Sequence, residues 1–98
     1  MWRQGDVFIA PVTAIPAEAG RLKHGTLVEG EATGHSHRIE DLATAQVFQG
    51  RDELYLRVVH EAARIIHQEH GAITLPRGTY RVWKQREYAP GMIRWVVD

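Results

Sequence analysis

No cysteine occurs among the 98 residues, so disulfides and thiolate metal ligands are excluded, and any metal must be held by nitrogen and oxygen donors. No apolar run approaches the ~20 residues that a bilayer span requires. Met1-Trp2-Arg3-Gln4-Gly5-Asp6 carries charges where a signal peptide would place its apolar stretch, so a cytoplasmic protein with no membrane partner is expected. Neither sign of charge is in excess. Twelve basic residues balance twelve acidic ones, which removes the broad positive field of non-specific nucleic-acid binders and leaves room only for a local basic patch. Nucleic acid is therefore not expected as a partner. A phosphate-binding glycine loop, a dinucleotide fingerprint and a nucleophile-elbow serine are also missing, Ser36 lacking that setting.

What remains is an ordinary globular composition, 44% hydrophobic and 24% charged. A chain of this length supports one hydrophobic core and buries only roughly 60 to 65% of its unfolded surface, so one domain over residues 1–98 is expected, and homodimerisation would add stability. The apolar residues come in short, β-rich runs. Val7 to Val12 predicts a first strand, placed at a sheet edge by Pro11, and Thr13 to His24, with Pro16 and Gly20, predicts a loop. Gly25 to Glu40 predicts two short strands joined near Gly34. Ala45 to Phe48 and Glu53 to Val59 flank Gln49-Gly50-Arg51-Asp52, a hairpin signature. Glu61 to Gly71 suits either a strand or a short helix capped by Gly71. Ile73 to Gly78 predicts a strand with a tight turn, followed by strands at Tyr80 to Gln85 and Ile93 to Val97. Seven or eight short strands at this spacing predict an all-β barrel or jelly-roll-like sandwich.

The histidines carry the chemistry. In a strand, residues i and i+2 leave on one face, so His35 and His37 would present two imidazoles together. His67-Gln68-Glu69-His70 adds two more and a carboxylate: His67 and Glu69 share a face in a strand, His67 and His70 in a helix. Four imidazoles, or three with a carboxylate, suit a divalent ion such as zinc, iron, nickel or manganese, and three protein ligands would leave a position for water. Without metal the cluster is tolerated at neutral pH, because unperturbed imidazole has a pKa of about 6.5, and it would loosen on acidification. Glu31 is a candidate base or orienting partner. Arg86 and Tyr88, in Gln85-Arg86-Glu87-Tyr88, form a set that could hold a small anionic ligand. His24 and His60 have no companion at ligand spacing, and Trp2, Trp83 and Trp95 read as core or interface packing.

Arg3-Gln4-Gly5-Asp6-Val7, Gly30 to His37, His67 to His70, Leu75-Pro76-Arg77-Gly78-Thr79-Tyr80 and Gln85 to Tyr88 together resemble a small bacterial protein family. The resemblance implies that these blocks share one domain and adds no reaction. Where that family would have two acidic residues between its histidines, this chain has Gln68 and Glu69. Gly34, His35, His37 and Glu40 are similar to the first cupin motif, and Gly71 to Gly78 to the start of the second, which implies a cupin-like barrel. The histidine of that second motif is missing, with Tyr80 near its place.

Three functions follow as expectations. The leading one is a metal-binding β-barrel with His35, His37, His67 and His70 as ligands, Glu69 or Glu31 as ligand or base, and Arg86 and Tyr88 holding a small anion. The second is a non-catalytic module that binds a protein partner through the same pocket or a sheet edge. The third is a metal-free ribonuclease pairing Glu31 with a histidine, with Arg86 stabilising the phosphorane.

Overall fold

A computed structural model describes residues 1–29 and 36–84. Among them are eight strands and no helix, in the all-β class expected: β1 Trp2–Gln4, β2 Val7–Pro11, β3 Gly20–Arg21, β4 Thr26–Glu29, β5 Ser36–Ile39, β6 Ala45–Gln49, β7 Leu54–Ile66 and β8 Ile73–Lys84. With no helix there, none is long and apolar enough to cross a membrane. Every pairing is antiparallel and all eight strands join one sheet, ordered β1-β2-β8-β7-β5-β4, with β6 on β7 and β3 on β6.

The long β7–β8 hairpin organises this sheet. The first half of β7 pairs with β6 and its last residues pair with β5, while β8 accompanies both halves. The ladder between them slips from Val58↔Gly78 to Ala62↔Pro76, so Val59, His60 and Glu61 bulge opposite Arg77. A bulge of this kind bends and twists its strand, and here it lets one sheet wrap around one core. Val7, Ile9, Leu56, Ile65 and Leu75 are fully buried in that core, which draws on β2, β7 and β8, while Leu27, Ile39 and Val47 bring in β4, β5 and β6.

Three strand expectations change, and one left open is decided. The first strand is β1, three residues long, whose signal is too short to read; it leaves β2 inside the sheet rather than at its edge. Pro11 is accommodated because it lies beyond the last β1–β2 rung, Trp2↔Ile9, and the proline restriction acts on its own rung only. The expected loop of residues 13–24 contains β3, whose two residues pair with Gln49 and Phe48. Pro76-Arg77-Gly78 makes no turn: Gly78, at φ +156°, and the opposing bulge absorb the irregularity, and Ile73–Lys84 is one strand of 12 residues. Glu61 to Ile66 continues β7, a strand of 13 residues, so the two central strands are long. The Ala45–Gln49 and Leu54–Ile66 hairpin is as expected, closed by Gly50 N–H donating to Glu53 C=O at 2.9 Å. The junction near Gly34 and the strand at residues 93–97 lie outside the described residues.

Leu56 is completely buried at the centre of the wrap. Leu56→Ala is expected to lower unfolding free energy by about 2–5 kcal/mol, read by chemical denaturation.

Candidate functional site

Among the described residues only Gln4 and His37 are buried polar side chains, at 1% and 4% exposure, and they bond to each other. Gln4 ends β1. Its Nε2 donates to the carbonyls of Ile65 and Gly71, both at 2.9 Å. Only the amide nitrogen can donate to two carbonyls, so Oε1 must face His37, and it accepts from His37 Nδ1 at 2.9 Å. The proton of neutral His37 therefore sits on Nδ1, and its Nε2 carries a lone pair.

His37 shares the inner face of β5 with Ile39. Burial pushes its pKa down to about 4 from the usual 6.5; His67, His70 and Lys84 push the same way, and Asp6 opposes them. Its Nε2 is 3.7 Å from Asp6 Oδ1, and Asp6 Oδ2 is 3.8 Å from Lys84 Nζ. His37 is thus a neutral imidazole at pH 7, with its basic nitrogen toward a carboxylate.

The two histidines after β7 complete the cluster. Ring centroids are 4.2 Å apart for His37 and His67, 4.6 Å for His67 and His70, and 6.2 Å for His37 and His70, so His67 lies between the other two. His67 Nδ1 accepts from the backbone N–H of Glu69 at 3.0 Å and of His70 at 3.3 Å, which folds the loop back and puts the neutral ring's proton on Nε2. Gln68 Oε1 accepts from Ser36 N–H at 3.0 Å and ties the same loop to β5.

Gly5 makes room for the stack. The β1–β2 turn is the two-residue Gly5-Asp6, with positive φ at Gly5 (+62°) and not at Asp6, the pattern of a type II′ turn. A Cβ at Gly5 would come within 2.6 Å of His70 Nε2. The turn therefore needs glycine twice, for its backbone angle and for the ring resting on it.

The structure brings together His37, His67 and His70 of the expected ligands. The loop, neither strand nor helix, brings the last two side by side. Glu69 has an exposed side chain and reaches the cluster through its backbone N–H. His35, Glu31, Arg86 and Tyr88 lie outside the described residues. Among the described residues, no group of three or more His, Cys, Asp or Glu side chains is placed to hold a metal ion, since the three imidazoles stack with tilts of 36° and 39° between neighbours. Sequence reasoning missed Gln4, Gly5 and Asp6 as site residues. The signal that could have found them is the turn sequence Gln4-Gly5-Asp6.

Over residues 3–85 the chain matches a family model described as a domain of unknown function, DUF8820, and it belongs to that family. No curated protein and no solved structure matches it.

Unfolded His37 takes up a proton near pH 6.5 and the folded residue only near 4. Between those values the unfolded chain binds more protons, so stability rises with pH through the window and this term is constant above it. Denaturation in chelator at pH 7 and pH 4 should show a loss of up to about 3 kcal/mol from this group, and His37→Gln should remove that part of the pH dependence. Gly5→Ala should cost about 1–3 kcal/mol, through the positive φ and the displaced His70 ring, and shift the His70 imidazole NMR signals.

Proposed function

We propose that the imidazole cluster is a binding site for a divalent metal ion, with His37 Nε2 as its anchoring donor. The observation that carries this reading is the Gln4 amide, whose two carbonyl contacts leave it no alternative but to accept the Nδ1 proton of His37. Histidine ligands are commonly oriented this way, one ring nitrogen donating to an oxygen and the other presented to the metal. Burial reinforces it, because a ring that stays neutral far below pH 7 needs no deprotonation before it binds an ion.

The donor set suits zinc, iron, nickel or manganese, being imidazole and carboxylate without thiolate. In this reading binding draws the His70 ring and the Asp6 carboxylate toward His37 Nε2, since no three of the described groups converge beforehand, and His35, two residues before His37 in sequence, completes the set. His67 contributes after giving up the two backbone N–H bonds at its Nδ1, or stays as the ring that spaces the other two. A bound ion with an open position would polarise an oxygen of a small anionic ligand or lower the pKa of a water. We place this chemistry in the cytoplasm, on the cysteine-free composition.

One observation favours a metal-free polar pocket instead. His67 Nδ1 is already engaged by two backbone amides, and the rings stack rather than converge. The two readings separate in one experiment: tag-free protein is stripped with chelator and titrated with Zn²⁺ and Ni²⁺ by calorimetry, with elemental analysis after dialysis. One ion per chain is expected, abolished by His37→Phe and weakened about 10- to 100-fold by Gln4→Leu. Reconstituted wild-type protein without stoichiometric metal would refute the metal site and leave the polar pocket.

A further inference from the structure

Away from the histidines, the outer face of the sheet carries a band of alternating arginines and aromatic rings. Side chains on directly paired residues share a face, and the registers define two adjoining rows. One runs Arg3↔Phe8↔Trp83 across β1, β2 and β8. The other runs Ala10↔Arg81↔Tyr55↔Phe48↔Arg21 across β2, β8, β7, β6 and β3. Arg57, two residues from Tyr55 on β7, flanks the second row. The inward residues of the same strands, Val7, Ile9, Val47, Leu56 and Val82, are buried, which confirms that this row faces away from the core.

The rings are half-buried and held. Phe8 and Trp83 meet edge to face at 5.6 Å, Arg81 lies over Trp83 at 4.1 Å, Arg57 over Phe48 at 5.0 Å and Arg3 over Phe8 at 5.3 Å. Among the described residues, the acidic side chains placed against this band are Glu53, bonded to Arg81 at 3.0 Å, and Glu18, whose charge reaches Tyr55. Among the described residues four arginines thus face two carboxylates, so a chain with no net charge gathers a local positive field over a row of π-surfaces. Trp83, expected from sequence in core or interface packing, belongs to this outer row.

We propose that this face binds single-stranded nucleic acid. Bases stack on exposed aromatic or guanidinium planes whatever their identity, and arginines neutralise the intervening phosphates. Phe8 and Phe48 stand three strand spacings and a two-residue step apart, roughly 16 Å at about 4.8 Å per strand and about 3.4 Å per residue, a reach suited to two or three successive nucleotides. An acidic peptide would use the arginines and leave the rings without a purpose, so the aromatic row decides between the two partners. The proposal is independent of the metal reading, since none of these residues belongs to the histidine cluster.

The test is fluorescence anisotropy of labelled oligouridylate and oligothymidylate, each about 12 nucleotides, with the full chain at about 50 mM salt. Binding in the micromolar range is expected, weakening as salt rises to about 200 mM and exceeding that of a duplex of the same length. Relative affinity of the two oligomers distinguishes RNA from DNA. Arg57→Glu, Arg21→Glu and Phe48→Leu should each weaken binding by about 10-fold, Arg21→Glu with unchanged thermal melting because its side chain is exposed, and Arg57→Glu with only the small loss of its exposed contact on Phe48. An absence of signal at about 100 μM protein would overturn the proposal. So would affinity unchanged in the Arg21→Glu, Arg57→Glu double variant, or competition by polyglutamate equal to that of the oligonucleotide, which would make the face an acidic-peptide surface.

Discussion

A single side-chain amide holds the functional end of this molecule together. Gln4 sits at the end of a three-residue strand, yet its bonds reach β5 through His37, the last turn of β7 through Ile65 and the following loop through Gly71. Each such bond is worth only about 1 kcal/mol net, but a buried donor or acceptor left without its partner costs about 1–3 kcal/mol. Removing Gln4 would strand the Nδ1–H of a buried imidazole and take a buried donor from the Ile65 carbonyl at once. That asymmetry makes the amide a constraint on tautomer, loop position and strand order together.

The β7–β8 hairpin supplies the frame on which that constraint acts. Its three-residue bulge opposite Arg77 lets one pair of strands serve both halves of the sheet, and Arg77 Nε donates to the His60 carbonyl at 3.3 Å to hold the bulge in place. Because β7 ends at Ile66, the loop that follows carries the His70 ring over the β1–β2 turn, where Gly5 has no side chain to obstruct it. The histidine stack is therefore a product of long-range strand order, and the short segments around it follow.

The two faces of the sheet divide the polar chemistry. Inside, desolvation keeps His37 neutral and its lone pair directed, a state suited to coordination. Outside, the arginine stems and guanidinium planes lie over rings that are themselves only half covered. Zero net charge conceals this separation, since a sum over the chain says nothing of where the strands place each sign.

Much of this was legible in the residues. Periodicity and turn chemistry gave the all-β class, the Gln49 to Asp52 hairpin and the strand pair around residues 25–40, because those signals are local. The pairing of His37 with His67 and His70 was also anticipated, though as ligands of one centre rather than as a stack. Not legible were β1, too short to carry a pattern, and the continuity of β8 through Pro76 and Gly78, where a distant bulge overrode a local turn signal. The roles of Gln4 and Gly5 were hidden for the same reason: a glutamine amide and a missing Cβ acquire meaning only from the neighbours that folding brings. The sequence by itself determined which groups are available and that they lie on strands and turns. Tertiary structure alone decided which way the His37 imidazole presents its lone pair, because its tautomer is set by Gln4, 33 residues away.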